Sequence, residues 1–201
     1  EKAFGAEVGA RFESMHREQG VKFELGTGVS RLRGSKRVES VELANGTVLP
    51  ADLVVIGVGA EPVVDYLDGS GLLEDGAVPV DGFMQTGSPG IYAVGDIARV
   101  ASTGGAADGG AADSGAGEAK RVEHWVVAQR HGRQVARSIT GAREPLEYAP
   151  FFWTRQFETS FGYIGYAPHY DEIRYKGEVA EGKFLAGYFE NGILKAVGTI
   201  G

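Results

Sequence analysis

Leu53-Val54-Val55-Ile56-Gly57-Val58-Gly59-Ala60 opens with four apolar residues that do not alternate with polar ones. A strand with one wet face alternates, whereas a strand covered on both faces, as in a parallel sheet, does not. The run ends at once in glycines, which let backbone pass close to another group at the strand's carboxyl end. Ile91-Tyr92-Ala93-Val94 repeats the pattern and ends in Gly95-Asp96. Two short buried strands, each emptying into a glycine turn, predict an α/β ligand-binding sheet.

Toward the N-terminus, Gly5–Gln19 reads as a helix, with Val8, Phe12 and Met15 on one face and Gly20 as its stop. Val21–Leu25, Val29–Arg33 and Val38–Leu43 follow as strands at short spacing. Asn45-Gly46 predicts a hairpin turn of type I′, which needs positive φ twice. Toward the C-terminus, Ala101–Lys120 is rich in Ala and Gly and carries no large apolar side chain. That composition predicts a mobile insertion, and its near-repeat Gly-Gly-Ala-Ala-Asp reads as low complexity. Val122–Thr140 predicts a second helix that buries Trp125, Ala128, Gly132, Ala136 and Ile139 and is closed by Gly141. From Phe151 the pattern is all strand: Phe151–Phe157, Phe161–Tyr166, Glu172–Tyr175, Phe184–Phe189 and Leu194–Thr199, the last pair turned by Asn191-Gly192. These predict an antiparallel sheet, starting near Tyr148, whose apolar face needs a cover the sequence does not supply.

Composition narrows the chemistry. The 201 residues are 43% hydrophobic, enough for a sizeable core. A formal charge of −7 argues against nucleic-acid binding, which needs a concentrated surplus of Lys and Arg. With no Cys, the chain cannot hold a disulfide, a redox CxxC pair, a Cys-ligated cluster or a cysteine nucleophile. No apolar run is long enough to predict a membrane span. The sequence shows no initiator Met and no signal peptide, which leaves the compartment open between cytoplasm and mitochondrion.

Asp96 follows a buried strand and a glycine. It either accepts hydrogen bonds from a sugar or polyol hydroxyl or caps the next turn. Glu123, His124 and Trp125 open the second helix, where unpaired N–H groups favour an electron-rich ligand. Taken singly, Glu123 reads as a first-turn dipole residue and Trp125 as core. His124 and His131 share a helix face but stand about 10.5 Å apart along the axis, too far to chelate one metal. Trp153 is either sheet core or a flat aromatic beside a planar ligand. The segment Gly177–Lys183 nearly matches a P-loop, but Phe184 stands where a Ser or Thr would hold magnesium. GxSxG, HExxH and GxGxxG are all absent. An α/β nucleotide-binding domain without its phosphate fingerprint is incomplete or has lost its ligand.

Four stretches in order carry a resemblance: LVVIGVGAEP (Leu53–Pro62), MQTGSPGIYAVGDIA (Met84–Ala98), VEHWVVAQRHG (Val122–Gly132) and APFFWTRQF (Ala149–Phe157). They resemble the pyridine nucleotide-disulfide oxidoreductase superfamily, in its ferredoxin-reductase-like branch that lacks a redox disulfide. With YIGYAPHYDEI added, the pattern is most similar to the apoptosis-inducing factor 3-like group. The resemblance implies an α/β plus α+β fold: partial FAD- and NAD(P)-binding Rossmann-like domains followed by a small antiparallel-sheet C-terminal domain. Residues 1–56 match the end of the NAD(P)H-binding domain, 57–147 the end of the FAD-binding domain and 148–201 the C-terminal domain. The family's two GxGxxG segments would lie before Glu1 and its closing helices after Gly201, so the resemblance implies a C-terminal piece. FAD binding by this piece alone is expected to be weak.

Residue by residue, the resemblance assigns Asp96, with Gly95 before it, to the FAD ribityl chain. It places His124 and Trp125 at the pyrimidine edge of the isoalloxazine and Trp153 packed by the flavin. Val58, Gly59 and Glu123 match positions near the nicotinamide end of NAD(P)H. Hydride passes from nicotinamide to flavin directly, so no catalytic side chain and no metal is implied. The implied partner is a ferredoxin or a Rieske-type iron–sulfur protein, or a quinone-like acceptor, with a homodimer as a further expectation. The alternative is a non-enzymatic interaction module with vestigial flavin motifs, which a flavin absorption spectrum would separate.

Overall fold

The computed structural model describes residues 3–101, 119–141 and 143–201. The Ala/Gly-rich stretch expected to be a mobile insertion lies, over 102–118, outside the described residues. The chain divides into two compact units, Gly9–Ala60 and Glu1–Val8 with Glu61–Gly201. The first helix, α1 (Ala6–Glu18), runs across that division.

In the smaller unit, β1 (Val29–Arg33), β2 (Ser40–Leu43) and β3 (Val48–Pro50) form an antiparallel sheet in that order. The Asn45-Gly46 turn is present, but only Gly46 takes a positive φ, +87°. Asn45 Oδ1 instead accepts from the Thr47 N–H at 3.0 Å, a side-chain closure that replaces the second positive φ. Val21–Leu25 forms no strand. The decisive run, Leu53–Ile56, is also no strand: Leu53, Val55 and Ile56 are 80%, 86% and 70% exposed. A parallel strand exists only through neighbours on its edges and helices on its faces. Among the described residues none pairs with this run, so its apolar composition goes unused.

In the larger unit, Val78, Val80, Met84, Ala93 and Ala98 make one core, packed by Leu67, Leu72, Ile97, Val135 and Leu146. Two short strands cross it, β4 (Val78–Val80) and β5 (Ala98–Val100), paired parallel with Val78 opposite Ala98. Ile91–Val94 was expected as a buried strand but makes only an isolated bridge, Tyr92 to Gln85. Only Ala93 of that run is buried, because Ile91 and Val94 face outward. Gly95–Ile97 then forms a single 3₁₀ turn that feeds β5. Val100 and Lys120 bridge reciprocally, each N–H donating to the other's carbonyl at 2.9 Å.

The second helix, α2 (Trp125–Ile139), buries Val127, His131 and Gln134. The expected stripe of Trp125, Gly132, Ala136 and Ile139 is exposed instead. Two polar side chains tolerate burial here because each finds a backbone partner: His131 at Gly95, and Gln134 at the Glu144 carbonyl at 3.0 Å. Ser138 fixes the far end of the helix by donating to the Phe83 carbonyl at 2.9 Å.

The C-terminal sheet forms as read. Its strands are β6 (Phe151–Gln156), β7 (Thr159–Gly165), β8 (Glu172–Glu178), β9 (Lys183–Glu190) and β10 (Ile193–Ile200), in spatial order β6-β7-β10-β9-β8, all antiparallel. At Asn191-Gly192 both residues take positive φ, 51° and 76°, as a type I′ turn requires. The sheet is not wholly uncovered. Phe4 lies on it, edge-on to Phe161 at 5.0 Å and Tyr163 at 5.5 Å, and the Tyr188 hydroxyl donates to the Phe4 carbonyl at 3.0 Å. The result is a mixed α/β chain with two helices and mainly antiparallel sheet among the described residues.

Candidate functional site

The turn at Gly95–Ile97 is held from two directions. Gly95 adopts φ +74°, a conformation that strains any residue with a Cβ. Its N–H donates to His131 Nδ1 at 3.3 Å, reaching into the buried face of α2. From the other side Arg121 donates to the Asp96 carbonyl at 3.1 Å and pairs with the Glu123 carboxylate at 2.7 Å. The backbone of Asp96 is thereby tied to the residues that lead into α2. Its carboxylate accepts no hydrogen bond and joins no ion pair among the described residues. The capping alternative for Asp96 finds no support, since its side chain caps nothing.

At the start of α2, His124 is the N-cap, its Nδ1 accepting from the Val126 N–H at 3.3 Å. With Nδ1 committed as an acceptor, the neutral ring carries its proton on Nε2. Around this end three further rings gather. His124 and Trp125 stand 6.0 Å apart, Trp125 meets Trp153 edge-on at 5.9 Å, and Phe151 stacks on Trp153 at 5.7 Å. Trp125 is 63% and Trp153 49% exposed, so neither is core. Two half-exposed tryptophans at one helix end, set edge-on to each other, leave flat apolar ring surface open beside the start of α2.

His131 is buried, only 2% exposed. Burial lowers its pKa below the ordinary value, and the nearby Asp96 charge opposes that shift. Its Nε2 lies 3.5 Å from the Tyr148 hydroxyl, whose own pKa burial pushes up to about 12 against the pull of Arg130. The Arg130 guanidinium sits over the Tyr148 ring at 4.9 Å.

Of the residues singled out from sequence, Gly95, Asp96, Glu123, His124, Trp125 and Trp153 thus fall in one unit, around one turn and one helix end. Val58 and Gly59 belong to the other unit, where Val58 is 90% exposed and Gly59 takes φ +106°. Arg121, His131 and Tyr148 were missed. His131 and Gln134, three apart on the face of Val127, were the available signal, because polar residues on a buried face need partners. Among the described residues no cluster of His, Asp or Glu can hold a metal, and no helix is long and apolar enough to cross a membrane.

The profile of the pyridine nucleotide-disulphide oxidoreductases matches residues 2–132, well over half of the sequence. The chain belongs to this family. Members of the pyridine nucleotide-disulphide oxidoreductase family are FAD-dependent oxidoreductases of NAD(P)H. Apoptosis-inducing factor 3 of Homo sapiens is 32% identical over 199 residues, covering 98% of this chain and 31% of that protein. Putidaredoxin reductase CamA of Pseudomonas putida is 32% identical over 203 residues, covering 100% of this chain and 46% of that protein. Among solved structures of the family, the covalent putidaredoxin reductase–putidaredoxin complex superposes with a TM-score of 0.86 at 33% identity, over 98% of this chain and 46% of that one. A ferredoxin reductase of Rhodopseudomonas palustris gives 0.84 at 29%. The chain spans less than half the length of these relatives.

Proposed function

We propose that the chain forms the flavin-facing part of an FAD-dependent NAD(P)H oxidoreductase that passes electrons to an iron–sulfur protein of the ferredoxin type. The observation that carries this reading is the Asp96 carboxylate, without a hydrogen bond or ion pair among the described residues, on a turn clamped to α2, beside whose N-terminus the two exposed tryptophans Trp125 and Trp153 meet. The groups present fit the cofactor's chemistry. A ribityl chain needs a hydrogen-bond acceptor for its hydroxyls, and an isoalloxazine needs a flat apolar wall. The similarity to a reductase solved together with putidaredoxin supports the ferredoxin-type acceptor.

When bound, FAD supplies the conversion of a two-electron hydride from nicotinamide into single electrons. The protein's part is to bind and orient. Asp96 accepts from a ribityl hydroxyl and fixes the cofactor along its length. The positive end of the α2 dipole and the Nε2–H of His124 would favour negative charge at the pyrimidine edge of the bound cofactor. Trp125 and Trp153 exclude water from the ring. Glu123, held by Arg121, and Val58 and Gly59 are assigned to the nicotinamide end on the resemblance alone.

The test is reconstitution of the full-length protein with FAD. The expected result is a stoichiometric flavin spectrum that NADH or NADPH bleaches without oxygen and an oxidised ferredoxin-type protein restores. A protein that takes up no flavin would overturn the reading in favour of an interaction module.

Trp153→Phe separates wall from core. Because Trp153 is half exposed, the substitution should cost less than about 1 kcal/mol of stability. Quenching of flavin fluorescence and the rate of reduction by NAD(P)H should both change. A variant that melts earlier but matches wild type in spectrum and rate would return Trp153 to a packing role.

A further inference from the structure

We infer that His131 is the positioning residue of this site: as a neutral ring protonated on Nε2, it holds the Gly95 N–H and so sets the direction of the Asp96 carboxylate. The inference rests on the flavoprotein reading, because what Asp96 is aimed at is the ribityl chain of FAD. Three observations carry it. His131 is buried on the face of α2 that also buries Val127 and Gln134. Its Nδ1 is the hydrogen-bond acceptor for Gly95, the residue whose positive φ makes the turn possible. Its other nitrogen stands 3.5 Å from the Tyr148 hydroxyl. Because the Gly95 N–H can only donate, Nδ1 is the acceptor, the neutral ring's proton lies on Nε2, and the hydroxyl is placed to accept it.

One ring thus joins three separate parts of the chain: the turn before β5, the middle of α2 and the segment leading to β6. No other described side chain bonds to the Gly95 N–H. If that acceptor is lost, a half-buried N–H loses its protein partner and the turn relaxes. The carboxylate next to it then loses its aim, although nothing has touched Asp96 itself.

Acid has the same effect by a different route. Protonation puts an N–H on Nδ1, directly opposite the N–H of Gly95, and two donors then face each other. The groups facing the ring are the Asp96 carboxylate on the turn, the neutral Tyr148 hydroxyl on the opposite side and the Arg130 guanidinium over Tyr148. Burial favours the neutral ring, so its contribution is complete above the ordinary His value of 6.5 and is lost as pH falls below it. FAD affinity should follow that profile.

The experiment measures the dissociation constant of FAD from the full-length protein between mildly acid and neutral pH, for wild type, His131→Asn and His131→Leu. Asn places an oxygen near the position of Nδ1 and does not titrate. It should keep most of the neutral-pH affinity and flatten the acid loss. Leu fills the space without an acceptor and should weaken FAD on the order of tenfold at neutral pH. In parallel, nitrogen NMR of the histidines reads the tautomer in wild type, with or without FAD, and should find the His131 proton on Nε2. A proton on Nδ1 at neutral pH, or an Asn variant with the wild-type acid profile, would overturn the inference. If wild type binds no FAD, the flavoprotein reading falls and the aiming of Asp96 at FAD falls with it. The tautomer result still decides whether His131 holds the turn.

Discussion

Asp96→Ala in the full-length protein should weaken FAD binding by about 10- to 150-fold, the equivalent of a charge-assisted hydrogen bond worth roughly 1.5–3 kcal/mol. The fold should barely register the change, since the carboxylate has no hydrogen-bond or ion-pair partner among the described residues. The turn itself is held through backbone groups, Gly95 N–H and Asp96 C=O, both of which alanine retains. Titration of the variant with FAD, followed by fluorescence, gives the affinity, and a thermal melt of the apo-protein gives the stability. There is a second signature. The Asp96 charge raises the pKa of His131, so its removal should move any acid loss of binding to lower pH. Unchanged flavin occupancy in the variant would remove Asp96 from the site.

Phe161→Ala should be a severely damaging truncation in the C-terminal sheet. Phe161 is 1% exposed, lies edge-on to Phe4 at 5.0 Å and packs near Phe152 at 6.1 Å. Its ring also occupies the space above Gly198, where a Cβ would come within 2.9 Å of it. Truncation removes a large apolar side chain and leaves a cavity that rigid neighbouring strands cannot close. The cost should be about 3–5 kcal/mol. For a chain of this size that corresponds to a fall of roughly 6–20 °C in melting temperature. Ile164, on the same strand but 48% exposed, provides the control: Ile164→Ala should cost less than about 1 kcal/mol. Similar losses at both positions would mean that this face of the sheet is not the buried one.

The C-terminal sheet was legible because its signals are local. Asn191-Gly192 announces its turn by conformational preference, and runs of Phe, Tyr and Ile between turn residues mark each strand. The positions of Asp96, His124 and Trp125 were legible for a different reason: each is attached to a fixed point, a turn or a helix end. What failed was everything that depends on a neighbour. Leu53–Ile56 has the composition of a buried parallel strand, yet composition cannot supply the strands and helices that would bury it. The face of α2 was misread because apolar spacing favours Trp125 and Ile139, whereas the helix turns His131 and Gln134 inward toward backbone partners that lie far off in sequence. The same distance hid Arg121, whose two bonds to Asp96 and Glu123 join the turn to the helix entrance. The cover supplied by Phe4 lies at the opposite end of the chain from the sheet it covers.

The reciprocal bridge between Val100 and Lys120 bears on how this protein can change over generations. It closes the path between β5 and α2 at its base, so exit and re-entry are set by two backbone hydrogen bonds and not by the residues between. Closing a longer connection costs little, about 0.6 kcal/mol for each doubling of its length. Insertions between these two anchors should therefore add little to the cost of closing the connection at the Val100–Lys120 bridge. Selection can lengthen, shorten or rewrite the connection while the residues around it stay in place. For the same reason a tag or a reporter domain grafted between the two anchors should add little to that closure cost.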